Sequence, residues 1–188
     1  MRSFSQFVAS ALMASTLVQA NTVKFVSQDA IDRTIVFTAN AGLQEISDLS
    51  VPGNAEVTQE FPTGWIGNGY SVSAGTDRSV VGMLAEFTFQ GWGDMVFFDV
   101  SAIVNQTDTN GVKQLYPMSQ AKVNVEALTT FSGCTVYPCN TVYWHPDDVQ
   151  TVTTTETDFV CTLGGSLSNE SQNTTRKLVS RNHVLGKH

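Results

Sequence analysis

Two carboxylates set inside hydrophobic runs are the first residues of this sequence with chemical potential. Glu86 lies in "LAEFTFQ" (84–90) and Asp99 in "MVFFDVSAIV" (95–104), with Gly-Trp-Gly-Asp between the runs. Runs rich in Phe, Val, Ile and Thr predict strands, and Gly91 to Asp94 predict the turn that joins them into a hairpin. With that turn Gln90 pairs with Met95 and Phe89 with Val96, and counting back sets Glu86 opposite Asp99. Directly opposed residues share a face with Cβ atoms about 4.5–5.5 Å apart, whereas a slip of one residue sends them to opposite faces. Two carboxylates so close titrate as a pair, one of them with a raised pKa. Such a pair suits the acid and nucleophile of a glycosidase, or a site for a cation or sugar hydroxyls. Two acids on a solvated face are the plainer alternative.

The elements that must position this hairpin also read as strands. "NTVKFVSQ" (21–28) and "RTIVFTAN" (33–40) are short β-prone runs. Residues 51–75 alternate between apolar and polar side chains, broken by Pro-Gly, Thr-Gly and Asn-Gly turns. "AKVNVEALTTF" (121–131) and "TVTTTETDFVCTLG" (151–164) complete the set. A helical apolar period is confined to the first twenty residues. Regular short strands predict an all-β fold, an antiparallel β-sandwich, as one domain over 21–165.

Both ends differ from this body. Residues 1–20 have Arg2, an apolar run from Phe7 to Val18 and the small-residue ending Val18-Gln19-Ala20, the pattern of a signal peptide. That run is too short to span a membrane, no later one is long enough, and "HVLGKH" offers no hydrophobic tail for a lipid anchor. The expected protein is secreted and extracellular. Asn105, Asn169 and Asn173 each begin an N-glycosylation sequon. The tail 166–188 is polar and basic, expected to be disordered and glycosylated, with Arg176-Lys177 as a possible processing pair. Residues 21–165 carry sixteen acidic side chains against five basic ones, a balance that repels nucleic-acid backbones. Cys134, Cys139 and Cys161 allow one disulfide and leave one thiol over, with three pairings open. Cys134 and Cys139 have only His145 as a nearby imidazole and make no zinc pattern, so neither metal nor cofactor is expected.

The hairpin "MLAEFTFQGWGDMVFFDVSAIV", the segment "NGVKQLYPM", the run "VNVEALTTFSGCTVYPC" and the ending "VYWHPDDVQTVTTTETDFVC" follow one another in an order that resembles thaumatin-like proteins. The resemblance covers about residues 23–165. With three cysteines and no long insertion between Trp65 and the hairpin, the chain resembles small fungal members of the conidial CetA/CalA type. The resemblance implies a reduced thaumatin-like sandwich and a Cys134–Cys161 disulfide, with Cys139 left free or reshuffled. It also implies an acidic cleft of one Arg, one Glu and three Asp. Glu86 and Asp99 match two of the five. A further Asp falls at Asn110, with Asp108 as a possible substitute; the Arg falls near Asn68 and the last Asp near Asn140 or Thr141. Trp65, Tyr70 and Trp92 are candidates to stack on sugar rings, or else to pack the core and turns.

The expected function is that of a secreted, cell-wall-associated protein of early conidial (spore) germination, remodelling the wall through binding of its polysaccharide, β-glucan. Two alternatives stand beside it. One is a weak β-1,3-glucanase using Glu86 and Asp99. The other is a surface adhesin with protein partners at the cell surface. Losing the Arg and two of the acids of the cleft weighs against hydrolysis more than against binding.

Overall fold

The computed structural model describes residues 20–165. The expected signal peptide and the tail 166–188, with Asn169 and Asn173, otherwise lie outside the described residues. Two sheets face each other. One holds β1 (Asn21–Ser27), β4 (Glu56–Phe61), β8 (Val112–Pro117), β9 (Ser132–Gly133) and β11 (Asp158–Leu163), in the order β4-β1-β11-β8-β9. The other holds β2 (Arg33–Ala39), β3 (Leu49–Val51), β5 (Ile66–Ser73), β6 (Leu84–Thr88), β7 (Val96–Ser101) and β10 (Val152–Thr154), in the order β10-β7-β6-β5-β2-β3. The fold is the expected all-β sandwich. Pairing is antiparallel except between β1 and β11, which run parallel, with Phe25 beside Cys161.

Alternation decides which side chains fill the space between the sheets. In β1, Asn21, Val23, Phe25 and Ser27 are buried while Thr22, Lys24 and Val26 are half-exposed. The filling is largely aromatic. Phe25, Phe37, Phe61, Trp65, Phe87, Phe89, Phe98 and Phe159 are all buried, and consecutive ring centroids lie 4.8–6.2 Å apart in tilted, edge-on or stacked pairs. These are the offset and T-shaped arrangements favoured by the ring quadrupole. Two inward positions of β5 are Gly67 and Gly69, and a Cβ on either would run into rings that lie over the strand, Trp65 and Phe37 respectively.

One expected strand is absent. Residues 121–131 form a loop with a single 3-10 turn at Val125–Ala127. Lys122, Val123, Asn124 and Glu126 are exposed, so the run has too little to bury on either face. Its Leu128 and Phe131 instead fold back on Tyr116 and Val160, closing the outer side of the first sheet.

The ends of the sandwich are tied by polar clusters. At one end the buried Arg33 donates through Nη1 to Asp29 Oδ1 (2.6 Å) and through Nη2 to Asp29 Oδ2 (2.8 Å) and the Asn110 carbonyl (3.2 Å). At the other, Asn21 and Gln90 exchange amide hydrogen bonds of 3.1 and 2.6 Å, and Gln90 Oε1 also accepts from Gly64 N. This second cluster anchors the base of the β6–β7 turn.

The disulfide joins Cys134 to Cys139, with a Cα separation of 5.9 Å, and Cys161 is a free, fully buried thiol. The pairing implied by the resemblance, Cys134–Cys161, is corrected here, as is the fate of Cys139. The cause is strand order. Cys134 N donates to Lys113 O at the β8 edge, and β8 lies between that position and β11, which carries Cys161. Two strand spacings amount to roughly 9–10 Å, beyond the ~7 Å a disulfide spans between Cα atoms.

Candidate functional site

In the β6–β7 hairpin Glu86 pairs with Asp99, flanked by Phe87–Phe98 and Ala85–Val100. The turn is the 3-10 segment Trp92–Asp94, closed by Gly91 N donating to Met95 O (2.7 Å) and by Gly93 and Asp94 at positive φ. Because Ala85, Phe87, Phe98 and Val100 face the core, the period of two turns Glu86 and Asp99 to the outer face of their sheet. The row continues across the sheet: Asn68 of β5 lies opposite Glu86, and Thr38 of β2 opposite Asn68. Beyond β7, Thr151 donates through Oγ1 to Asp99 Oδ2 at 3.4 Å, and the Tyr143 hydroxyl lies 2.8 Å from Thr151 Oγ1.

A groove of about 270 Å³ runs along this row, lined among others by Asn40, Asn68, Glu86, Phe97, Asp99 and Thr151. Asp99 is 9% exposed. Its Oδ1 is buried and receives no hydrogen bond from any N–H or hydroxyl of the protein. Burial pushes the Asp99 carboxyl up to about 7; the negative charge on Glu86 directly opposite pushes the same way, and the Thr151 hydroxyl opposes them weakly. Below that value Asp99 carries a proton, so the pair offers one O–H donor and several acceptor lone pairs.

A larger depression of about 800 Å³ lies near the hairpin turn, lined by Gln90, Asp94, Glu156 and Asp158 among others. Three of its polar side chains are already committed, Gln90 to Asn21, Glu156 to the Ser119 hydroxyl and Asp158 to the Thr22 hydroxyl, and Asp94 is exposed at the turn. Size therefore does not select the site; the uncommitted buried carboxyl does.

The remaining expected site residues are not gathered here. Asp108 accepts at Oδ2 from Met83 N (2.9 Å) and at Oδ1 from Asn110 N (3.0 Å) and Gly111 N (2.9 Å), so it ties two loops together and is absent from the groove. Asn110 belongs to the Arg33 cluster, and Thr141 hydrogen-bonds to Gly133 O beside Cys139. Trp65 is 1% exposed in the core, with Nε1 donating to Gln44 O, and Tyr70 is buried with Val36 and Leu84 on the outer face. Neither offers a ring face to a sugar. Trp92 is 86% exposed at the hairpin turn, outside the groove, whose aromatic wall is Phe97. Thr151 and Tyr143 were missed because only the tertiary fold brings them to Asp99; nothing in their local sequence marks them.

No family model matches the sequence. The chain is 44% identical over 142 residues to antigenic protein SchS21 of Stachybotrys chartarum, covering 76% of this chain and 93% of that protein. It belongs to the family of that fungal protein. Among solved structures, the protein elicitor MoHrip2 of Magnaporthe oryzae superposes with a TM-score of 0.59 at 12% identity, over 78% of this chain and all of that one. At such low identity the likeness shows a shared sandwich fold. The SchS21 relationship places the chain among small fungal proteins; a thaumatin-like identity is not part of what these relatives show.

Proposed function

We propose that this member of the SchS21 family is a secreted protein of the fungal cell surface that binds wall β-glucan in the Glu86–Asp99 groove without appreciable hydrolysis. The observation that carries the reading is the buried, unpartnered Asp99 oxygen beside Glu86 in an open polar groove. A buried polar atom without a partner costs about 1–3 kcal/mol, and a sugar hydroxyl donating to it recovers that cost. The signal-peptide pattern and the names of the relatives, an antigenic protein and an elicitor, support exposure outside the cell. The resemblance of the hairpin to thaumatin-like proteins of conidia supports the wall and spore germination as the setting.

The lining of the groove speaks against catalysis. A glycosidase needs its two carboxyls held in a fixed geometry about the sugar. Here Asn68 stands at the position where the resemblance implies the Arg, and Asp108 and Asn110 lie outside the groove, so the orienting residues of such a cleft are not gathered around the pair. The test is retention of the mature protein on insoluble β-1,3-glucan, with reducing-sugar release measured on the same samples. Retention that falls at least tenfold in Glu86→Ala/Asp99→Ala, with no sugar release by the wild type, is the expected result. Equal retention of both proteins would overturn the assignment of the groove, and release abolished in the double variant would make the protein a glucanase. A second reading, a surface protein contacting other proteins, is favoured by the Trp92 side chain standing in solvent at the hairpin turn. It predicts no retention on any wall polysaccharide.

A further inference from the structure

Away from the groove, two loops present aliphatic side chains to water. Val80 (59% exposed) and Val81 (36%) lie between β5 and β6; Ile103 (40%) and Val104 (56%) lie between β7 and β8. Single exposed apolar residues are ordinary, but four on two joined loops form a patch that calls for a cover. The joint is Asn105: its Nδ2 donates to Val81 O at 3.0 Å, and its backbone N to Ala102 O closes the turn that carries Ile103 and Val104.

We propose that Asn105 carries an N-linked glycan whose first sugars cover this patch. Asn105-Gln106-Thr107 is a sequon on a loop. Asn105 Oδ1 accepts from Thr107 Oγ1 (2.8 Å) and Thr107 N (3.1 Å), which fixes the amide with its Nδ2 edge toward the Val81 loop. A primary amide has two N–H hydrogens; one serves Val81 O, and the other is free for substitution. In the transfer, Nδ2 forms a bond to C1 of the N-acetylglucosamine of a lipid-pyrophosphate-linked oligosaccharide. The C1–O bond to the pyrophosphate breaks, the amide gives up one proton, and the lipid pyrophosphate leaves. The secondary amide that results keeps the hydrogen bond to Val81. The first sugar then begins one bond beyond an atom 3.0 Å from the Val81 backbone, which sets its C–H face and acetyl methyl beside the Val80–Val81 loop. The glycan is the occupant that suits this patch because it is bulky, solubilising and attached at the patch's own edge.

This inference rests on the secretory part of the proposed function, and the experiment separates the two. The full chain is expressed in a fungal host, and both medium and cells are collected. Trypsin cuts after Arg78 and Lys113, so peptide 79–113 contains Asn105 and neither of the other sequons. Conversion of Asn105 to Asp by peptide-N-glycosidase in the secreted wild type and in Thr107→Ser, but not in Thr107→Ala, is expected. Enzymatic removal of the glycan from the folded protein should raise the fluorescence of an apolar-surface dye severalfold, and Val80→Thr/Val104→Thr should abolish that rise. An unmodified peptide 79–113 in the secreted protein would overturn the modification while leaving secretion intact. A glycan whose removal leaves dye binding unchanged would overturn the cover. A chain kept in the cells would overturn the secretory reading itself, and this inference with it.

Discussion

Asp99 is where one atom's environment decides the behaviour of the site. Its folded-state pKa, about 7, stands above the ordinary carboxyl value of 3.8, so the native state holds a proton that the unfolded chain has released between those two values. Stability contributed by this group is therefore fully present below about pH 4, falls as pH rises, and is lost above about pH 7. Asp29 works in the opposite direction: the hydrogen bonds from Arg33 lower its pKa despite burial, so its contribution is lost on acidification below the ordinary carboxyl range. Comparing variants at one pH cancels the Asp29 effect. Asp99→Asn keeps a neutral side chain of the same shape at every pH. It should match the wild type near pH 4 and exceed it at pH 8 by an amount on the order of a few kcal/mol. Urea denaturation midpoints at pH 4, 6 and 8 check this; a difference that does not grow with pH would show that Asp99 ionises normally. Glucan retention should follow the same proton, being stronger at pH 5.5 than at pH 8.5, because above the Asp99 pKa the groove holds two charges whose hydration a sugar must displace.

At the scale of elements, the β6–β7 hairpin was legible because two facts suffice for it: a period of two and a turn of known length. Those place Glu86 against Asp99 with no knowledge of the rest of the chain. Trp65 and Tyr70 were not legible, since their faces depend on which neighbours cover β5. Inward positions 67 and 69 of β5 are glycine because the Trp65 ring and Phe37 occupy the space where side chains would stand. Gly67→Ala tests that dependence. Its Cβ would meet the Thr38 carbonyl oxygen on β2 and lie 2.6 Å from Trp65 Cη2. Either β2 and β5 separate or the indole leaves its place, and overpacking of this kind costs about 1–3 kcal/mol or more. A lowered denaturation midpoint with a red-shifted tryptophan emission is expected, whereas the outward Asn68→Ala should leave both unchanged to within about 0.5 kcal/mol. The loop 121–131 teaches the converse: β-prone residue types alone do not make a strand where an exposed run such as 121–124 leaves neither face enough to bury.

Across the whole molecule, the two sheets are held by the aromatic filling and by polar clusters at each end, and the disulfide stays within the 134–139 segment at one sheet edge. That distribution was beyond the reach of the sequence, because whether two cysteines meet depends on the strands between them. With β8 standing between Cys134 and β11, pairing to Cys161 would require a different strand order, and so a different core. A loop this short stabilises by about 2 kcal/mol in the chain-entropy model, which is a local contribution. Cys161 lies fully buried, and burial raises its thiol pKa well above the ordinary value, so the reactive thiolate is suppressed as well as shielded. The native protein without reductant should therefore take up no iodoacetamide. After unfolding in urea, again without reductant, it should take up one equivalent, and peptide mapping should find it on Cys161. Modification of Cys139 instead would mean a Cys134–Cys161 bridge, and the β9-β8-β11 order of the first sheet would have to be abandoned with it. Cys134→Ser/Cys139→Ser should lose about 2 kcal/mol while keeping the far-UV spectrum of the wild type. The sandwich is closed by its rings, and the covalent bond secures only the edge.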